Sequence, residues 1–260
     1  MHLRILGAHQ VESPSTRLTA LLVDGHLALD AGSLSRSLTL EEQGRIRAVV
    51  LTHRHFDHTR DLPTLGLATA EDGQTIELFG LPETLQDLCS LLLDGVLSAD
   101  FTARPSREAP KYHLCPVTPY QEFSTVGYTL LPLPVPHSAP AVAYRLTDAE
   151  GRSLLFTGDS GTGLRQIWPG LRSRLPHLMV LEVTHANRMV APEMARAHLT
   201  PQALQAELEA YGELYGAFPR IVATHFHPRH EAEIRLELAD VSQALGVEIG
   251  IAQEDMVLEV

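Results

Sequence analysis

The sequence predicts an α/β fold in which two β-sheets pack face to face and helices cover their outer surfaces. Segments with strand and helix patterns alternate in both halves of the 260-residue chain. The hydrophobic fraction of 44% and the charged fraction of 20% are those of a globular domain rather than of a disordered or fibrous protein. No low-complexity linker or short repeat interrupts the pattern, so we expect residues 1–260 to form a single domain.

In the N-terminal half, the first predicted elements are strands that meet at Asp24 and Gly25, a dipeptide typical of hairpin turns. A helix is predicted over 33–45. The β-branched run 46–52 then predicts a short buried strand, which leads directly into a histidine-rich segment. Beyond that segment we expect a helix over 62–71, a strand over 75–80, and a helix that begins near Pro82 and continues to 97.

A proline-rich segment, Ala103–Pro119, lies in the middle of the chain. We interpret it as a surface loop or lid rather than a domain boundary, and it is, together with Phe101, a candidate part of a substrate wall or of a dimer contact. Strands are predicted after it over 122–135, 141–148 and 153–158. The pattern continues with a helix near 162–171, a strand over 178–184, a helix from Thr200 to 216, a strand over 220–225, an amphipathic segment over 231–246 and two strands within 247–260.

Charge and composition limit the classes of partner. The net charge of −12 argues against a large nucleic acid, because an acidic surface repels a polyanion. A small anionic substrate remains compatible with this charge, since bound divalent cations would dominate the local field. The two cysteines, Cys89 and Cys115, are interpreted as buried reduced thiols. The sequence shows neither a signal peptide nor the ~20 apolar residues of a membrane span, so we expect a cytoplasmic protein without a membrane partner.

The strongest chemical signal is the motif H-x-H-x-D-H, formed by His53, His55, Asp57 and His58 directly after the buried strand. Alternate residues of an extended segment point the same way. His53 and His55 can therefore share one metal ion, while Asp57 and His58 turn toward a second. Such ligands suit zinc, manganese or iron, and zinc is the first expectation for a histidine-rich site. A solvated polar loop is the alternative, but the clustered imidazoles would then lack a compensating charge.

Two ions that lie about 3.5 to 4 Å apart and hold a bridging hydroxide must share a ligand. Asp159 is the natural candidate, since it follows an apolar strand and lies among glycines that allow close backbone approach. His137 and His225 also follow strands. Each of these three residues alone would more often be structural. Together they supply the ligands that the first motif lacks.

The order of these residues resembles that of the metallo-β-lactamase superfamily, from Asp30 through the H-x-H-x-D-H motif to His225. The resemblance implies a four-layer αβ/βα sandwich that holds two divalent metal ions. It also implies the distribution of the ligands: His53, His55 and His137 on the first ion, Asp57, His58 and His225 on the second, and Asp159 between them. Asp30 would hold ligand loops or a histidine tautomer from behind, although an aspartate before Gly32 also suits a plain turn.

A second set of residues resembles the phosphodiesterase branch of the superfamily, which includes ribonuclease Z and the class II cyclic-nucleotide phosphodiesterases. Glu182 lies in the segment LEVTH and His198 in the segment AHLTPQAL. Carried over, Glu182 would orient His198, which would contact the phosphate or protonate the leaving oxygen. In the structural alternative, Glu182 is a charge at a strand end and His198 precedes a helix that Thr200 caps.

Three further stretches, 29–34, 80–85 and the QIW before Pro169, resemble the class II cyclic-nucleotide enzymes specifically. Two positions depart from that pattern and concern the purine specificity. The segment 98–101 lacks the tryptophan and proline expected before Asp-Phe, and His227 stands where a lysine is usual. Ribonuclease Z carries a long tRNA-binding arm between the equivalents of His137 and Asp159, whereas only 21 residues lie between them here.

We therefore predict a dinuclear, metal-dependent phosphodiesterase that acts on a small diester, with 3′,5′-cyclic nucleotides as the first candidates. Asp57, Glu182, His198 and Asp30 are its expected catalytic residues. Three alternatives stay open: a lactonase or thioesterase on the same metals, ribonuclease Z-like processing of RNA, and a binding protein that keeps the metals for stability or sensing. A homodimer is compatible with each of them.

Overall fold

The computed structural model describes residues 1–189 and 191–260. Within these residues the strands form two seven-stranded sheets. The first sheet contains β1 (His2–Gly7), β2 (Ala20–Val23), β3 (Leu27–Leu29), β4 (Ala48–Val50), β5 (Ile76–Gly80), β6 (Tyr112–Pro116) and β14 (Val257–Glu259). The second contains β7 (Phe123–Thr125), β8 (Tyr128–Pro134), β9 (Val142–Thr147), β10 (Ser153–Phe156), β11 (Leu178–Glu182), β12 (Arg220–Thr224) and β13 (Ile249–Ile251).

Helices cover the two sheets. They are α1 (Leu34–Ser37), α2 (Leu40–Gln43), α3 (Phe56–Thr59), α4 (Leu62–Ala68), α5 (Pro82–Leu91), α6 (Pro192–Ala197), α7 (Pro201–Tyr215) and α8 (Glu231–Leu245), with 3₁₀ helices over Leu164–Leu171 and Asn187–Met189. In the first sheet, Ala28 and Val49 pack with helical residues such as Leu62 in one core, whereas their strand neighbours face a second core shared with the other sheet. The predicted four-layer αβ/βα sandwich is therefore confirmed.

The strand directions bring several strand ends to one edge. In the second sheet, β8 pairs antiparallel with β9, and β9 pairs antiparallel with β10. The strands β10, β11 and β12 then pair in parallel. The carboxyl ends of β8, β10, β11 and β12 therefore meet at the same edge, which is where connecting loops of such sheets carry functional groups.

The predicted helix over 33–45 is two short helices. Thr39 separates them as the N-cap of α2, since its hydroxyl accepts the backbone N–H of Glu42 and the Glu42 carboxylate accepts the N–H of Thr39. This capping box starts a new helix where a single one was expected. Near 162–171 the chain forms a 3₁₀ helix that contains Pro169, a residue without the N–H that an α-helix requires. The helix α6 was not predicted.

The interpretation of Ala103–Pro119 as a loop or lid is partly wrong, because the segment contains β6. This strand pairs in parallel with β5 at the edge of the first sheet, where flanking prolines are tolerated. Phe101 is 5% exposed and packs in the outer core with Tyr112. Its side chain therefore belongs to the core rather than to a substrate wall, and a dimer contact through the segment Ala103–Pro119 stays a prediction.

Three further sequence predictions concern the first hairpin, the cysteines and membrane-spanning helices. The hairpin at Gly25 is confirmed, since β2 and β3 pair antiparallel. Cys89 and Cys115 are free, as predicted, but they are only partly buried. Burial and Glu77 nevertheless raise the pKa of the Cys115 thiol to about 11. Among the described residues, the helices are all too short or too polar to cross a bilayer.

Candidate metal centre

The seven predicted metal ligands come together between the two sheets. His53 follows β4, while His137, Asp159 and His225 follow β8, β10 and β12 at the shared edge. His225 has φ +64°, a left-handed conformation that is unfavourable for a residue with a Cβ and is found mostly at functional sites. The strand ends therefore deliver ligands from chain segments far apart in sequence to one place.

The H-x-H-x-D-H motif changes conformation in its middle. His55 is the extended N-cap of α3, with φ −61° and ψ 150°, and α3 contains Asp57 and His58. An extended segment places His53 and His55 on one side, as predicted, and the helical turn then rotates the next two ligands toward a different point. The motif thus serves two ligand groups because it is half extended and half helical.

The first group consists of His53, His55, His137 and Asp159. Nε2 of His137 lies 3.0 Å from Nδ1 of His55. Oδ2 of Asp159 lies 3.6 Å from Nε2 of His53 and 3.8 Å from Nε2 of His137. Two ligand atoms of a tetrahedral zinc ion are about 3.3 Å apart, given bonds of about 2.0 to 2.2 Å. These separations fit one such ion.

The second group consists of Asp57, His58, Asp159 and His225. Oδ1 of Asp159 lies 3.0 Å from Nε2 of His58 and 3.1 Å from Nε2 of His225. Nε2 of His225 is also 3.3 Å from Oδ2 of Asp57. Asp159 therefore turns one oxygen toward each group, which is the arrangement of a carboxylate shared by two ions.

The imidazoles of His58, His137 and His225 each present Nε2 to the centre because Nδ1 is held from outside. Nδ1 of His58 lies 2.7 Å from Oδ2 of Asp30, and Nδ1 of His137 lies 2.7 Å from the carbonyl oxygen of Ala197. Nδ1 of His225 lies 2.8 Å from Oγ1 of Thr184. Partners of this kind fix the tautomer and the ring orientation of metal-bound histidines.

Asp30 connects both ligand groups, although it lies behind them. Its carboxylate accepts the backbone N–H and the hydroxyl of Thr52, both at 2.8 Å, and contacts His58 on the other side. Oγ1 of Thr52 in turn lies 3.0 Å from Nδ1 of His53. Asp30 is fully buried. It is therefore placed to orient ligands rather than to touch a substrate.

The side chains present fit a pair of divalent cations. Among the described residues, Nε2 of His53 is a buried polar atom without a hydrogen-bond partner. Oδ1 of Asp159 is buried as well, and its contacts with Nε2 of His58 and His225 do not have hydrogen-bond geometry. Buried polar atoms without a partner are rare unless an ion or water satisfies them. Imidazole nitrogens with carboxylate oxygens are a donor set for zinc, manganese or iron. The histidine and aspartate clusters are therefore consistent with a dinuclear metal site.

The electrostatics of the protein without ions also favour cations. Burial lowers the pKa of His53 well below its ordinary range, so its imidazole is neutral and able to bind a metal. For His58 the effect of burial is outweighed by Asp159, Asp30 and Asp57, which raise its pKa well above the usual value. Burial opposes the ionisation of Asp159, but His225 and His58 hold its pKa well below the ordinary range. A bound cation would take the place of the His58 proton.

Glu182 and His198 lie at the edge of this centre. Oε1 of the buried Glu182 lies 3.2 Å from Nδ1 of His198 and accepts the backbone N–H groups of Ser160 and Leu199. Nδ1 of His198 is 3.9 Å from Oδ2 of Asp159. Burial lowers the pKa of His198, but Glu182 and then Asp159 raise it to about 9. Because Glu182 already holds His198, we do not regard these two residues and His225 as a further metal site.

Several residues of the site are absent from the predictions. Thr52 and Thr184 hold ligand histidines through their hydroxyl groups, and Gln10 contacts His198. Thr52 directly precedes the ligand His53, and Thr184 lies two residues after Glu182. A lone threonine next to a strand end nevertheless carries no distinctive signal in the sequence. Gln10 lies far from all motifs in the sequence. An open cleft of about 500 Å³ lies over the segment 134–142, but the His137 side chain within that segment is not exposed to it.

Comparison with known proteins gives the same fold. The family model described as beta-lactamase superfamily domain matches residues 19–230. Ribonuclease Z of Methanococcus maripaludis strain C6 is 32% identical over 102 residues, which are 38% of this chain and 31% of that protein. The chain spans about a third of the length of the curated relatives it matches.

Solved structures extend the likeness to the full chain. Unliganded yeast PDE1 has a TM-score of 0.84 at 19% sequence identity, and the match covers 100% of this chain and 99% of that one. The short form of human tRNase Z has a TM-score of 0.72 at 20% identity, with 100% and 99% covered. At these identities the likeness shows the fold. The family model over residues 19–230 shows that the chain belongs to the metallo-β-lactamase superfamily, with the histidine and aspartate metal site of a hydrolase of that fold.

Proposed function

We propose that this protein is a dinuclear phosphodiesterase that acts on a small phosphodiester, with 3′,5′-cyclic nucleotides as the first substrates to test. The observation that carries the proposal is the pair of Glu182 and His198 beside the shared ligand Asp159. Glu182 holds Nδ1 of His198, and Nε2 lies 3.3 Å from the Gln10 amide, a contact that a leaving oxygen would replace. A proton donor at the edge of a metal pair suits the departure of an alkoxide from phosphorus.

The residues divide the reaction between them. When two divalent ions are bound, they supply an activated water and neutralise negative charge on the phosphate. Asp57, whose side chain is 21% exposed against 2% for Asp159, can accept a hydrogen bond from the attacking water. As the water oxygen bonds to phosphorus, the bond to the leaving oxygen breaks with its electron pair. Nε2 of His198 gives that oxygen a proton, and the proton lost by the water restores His198 through solvent.

The surroundings support a small substrate. The protein has a net charge of −12, which disfavours binding of an extended RNA backbone. Between His137 and Asp159 the chain forms only the β9–β10 hairpin, with no inserted arm.

Two other reactions remain candidates on the same site. A lactonase or thioesterase would direct the activated water to a carbonyl carbon, and the developing oxyanion would lie against an ion. The named activity of several matched relatives, ribonuclease Z, is the second candidate. A proton donor as well held as His198 is less necessary for a thioester, because a thiolate leaves without one.

The test is hydrolysis by metal-analysed protein of 3′,5′-cyclic AMP and bis-p-nitrophenyl phosphate, beside a lactone, a thioester and a precursor tRNA. We expect turnover of the diesters that is lost in Asp159→Ala, which removes the shared ligand, and kept in Asp240→Ala, an exposed aspartate on α8. Turnover of the lactone or thioester alone would contradict the proposal. Cleavage of the tRNA alone would assign the ribonuclease activity instead.

A second variant tests the proton donor. His198→Ala should slow cleavage of cyclic AMP by about 10²- to 10⁴-fold, the usual contribution of a general acid. Its metal content should stay at the wild-type value, since His198 lies outside both ligand groups of Asp159. Unchanged turnover at full metal content would show that His198 takes no part in the reaction and that the metal site alone catalyses it.

A further inference from the structure

We propose that His185 and His230 form a third metal site, which binds a divalent transition metal such as zinc beside the dinuclear centre. His185 lies in the loop after β11, and His230 is the N-cap of α8. Neither residue belongs to the two ligand groups that share Asp159. The inference concerns metal binding alone and does not depend on the proposed phosphodiesterase activity.

The two imidazoles bring the same kind of nitrogen together. Nδ1 of His185 lies 3.3 Å from Nδ1 of His230, and the ring planes are inclined by 58°. Two nitrogen ligands of a tetrahedral zinc ion have about this separation, given bonds of about 2.0 to 2.1 Å. A hydrogen bond between the rings would need a proton on one nitrogen only, and 3.3 Å is long for such a bond. The separation therefore fits one ion with two protein ligands.

Backbone hydrogen bonds hold the two ligand loops against each other. The N–H of His227 donates to the carbonyl oxygen of Thr184 at 3.0 Å, and the N–H of His230 donates to the carbonyl oxygen of His227 at 2.8 Å. The ring of His227 also stacks on that of His230, with centroids 4.6 Å apart at an angle of 25°. These contacts restrict both imidazoles before an ion arrives, which lowers the entropy cost of binding it.

The electrostatics around His185 favour a metal ion over an anion. Burial, followed by the neighbouring His198 and His230, lowers the pKa of His185 to about 4. Its imidazole is therefore neutral near pH 7, and it neither attracts an anion nor has to lose a proton before it binds a metal. Neutral imidazoles are ligands for zinc, nickel and copper.

The donor set also disfavours the hard cations. Magnesium and calcium need oxygen ligands, but carboxylates on the first half of α8 bind other groups. Glu233 contacts Nε of Arg188 at 2.9 Å, and Glu237 accepts the backbone N–H of Asn187 at 2.9 Å. The ligands that remain are imidazole nitrogens, so we expect the site to select zinc over magnesium.

The third site is close to the dinuclear centre and should be weaker. The ring centroid of His198 lies 5.6 Å from that of His185 and 5.6 Å from that of the metal ligand His225. Each ligand group of the centre supplies four side chains, whereas an ion on His185 and His230 would complete its coordination with water. We therefore expect an ion that exchanges readily, with coordination positions open to water or to an anion.

The experiment measures zinc binding by protein that already holds its tightly bound ions. Zinc-loaded protein is gel-filtered to constant zinc content and then titrated with zinc by isothermal titration calorimetry, while NMR spectra of the histidine side chains follow the same titration. We expect the wild type to bind one further equivalent, with the Nδ1 signals of His185 and His230 shifting together. His230→Gln removes one ligand at a partly exposed position and should abolish that equivalent.

Two further variants make the result specific. His185→Gln removes the other ligand and should have the same effect, but His185 is only 8% exposed, so His230→Gln decides the result if His185→Gln does not fold. His113→Gln, at an exposed histidine on β6, is the matched control and should keep the further equivalent. The proposed site would be overturned if the wild type bound no further zinc, if His230→Gln still bound it, or if His113→Gln lost it.

Discussion

Oδ2 of Asp30 lies 2.7 Å from Nδ1 of His58, and neither side chain is exposed to solvent. This carboxylate fixes the nitrogen that His58 presents to the metal site, and it reaches His53 through Thr52. We expect Asp30→Ala to weaken metal binding by about 10- to 100-fold, the usual effect of losing a partner behind a ligand. Competition with a chromophoric chelator measures the change.

Asp24→Ala is the control for Asp30→Ala. Asp24 is also an aspartate with positive φ, at 45° against 59° for Asp30, but it lies in the β2–β3 turn. It should change stability without changing metal affinity. Equal metal affinity in Asp30→Ala and wild type would show that Asp30 serves only the turn.

The number of ions bound by variants of single ligands should distinguish the two ligand groups. We expect His137→Ala to retain about one ion, because it removes a ligand of the first group and leaves the second complete. Asp159→Ala should weaken both sites, since its two oxygens face different groups. Elemental analysis after gel filtration gives the counts. Two tightly bound ions in His137→Ala would mean that this histidine is not a ligand.

The pH dependence of stability should show the ion pairs of His9. Burial lowers the pKa of His9, but Glu254 and Glu231 more than compensate and raise it above 6.5. A raised pKa means that the stabilisation is complete below about pH 6.5 and is lost as the pH rises through the folded-state value. Urea unfolding of metal-loaded wild type and His9→Gln between about pH 6 and pH 9 measures the difference.

We expect the stability gap between wild type and His9→Gln to be largest at the acidic end of that range and to narrow toward the alkaline end. Burial raises the pKa of Glu254 and of Glu231, yet hydrogen bonds lower both, so their own contribution is lost only at more acidic pH. A gap that does not change with pH would mean that His9 is neutral in the folded protein.

Gly158 precedes the shared ligand Asp159 and should tolerate no larger side chain. Its φ is +56°, and a Cβ atom at this position would lie 2.6 Å from Cβ, Cγ2 and Oγ1 of Thr52. We expect Gly158→Ala to cost about 2 to 4 kcal/mol from backbone strain together with overpacking. It should also weaken metal binding, because Thr52 contacts His53 and Asp30.

Gly73→Ala is the matched substitution for Gly158→Ala. Its φ is +70°, but a Cβ atom would meet nothing within 4 Å. It should therefore cost only the backbone strain of about 1 to 2 kcal/mol and leave metal affinity unchanged. Thermal and chemical unfolding measure both variants, and equal losses would show that contact with Thr52 is unimportant.

Residues within a few positions of each other were predictable, because local chain geometry relates them. The motif from His53 to His58 indicates a metal site since its spacing alone brings the imidazoles together. His137 and His225 were predictable less directly, as polar residues at the ends of apolar strands. The predictions failed where weak local signals competed, as at Thr39, which starts a new helix, and in the proline-rich segment that contains β6.

The sequence by itself determined the α/β class, the order of most strands and helices, and the metal-binding character of the motif from His53 to His58, because hydrophobic periodicity and ligand spacing are local properties of the chain. Only the tertiary structure decided that Asp159 turns one oxygen to each ligand group and that Asp30 reaches both through Thr52. It also decided that Gln10 lies against His198. Such contacts depend on how the two sheets pack. The local pattern of a chain segment does not specify how far that segment lies from a segment distant in sequence.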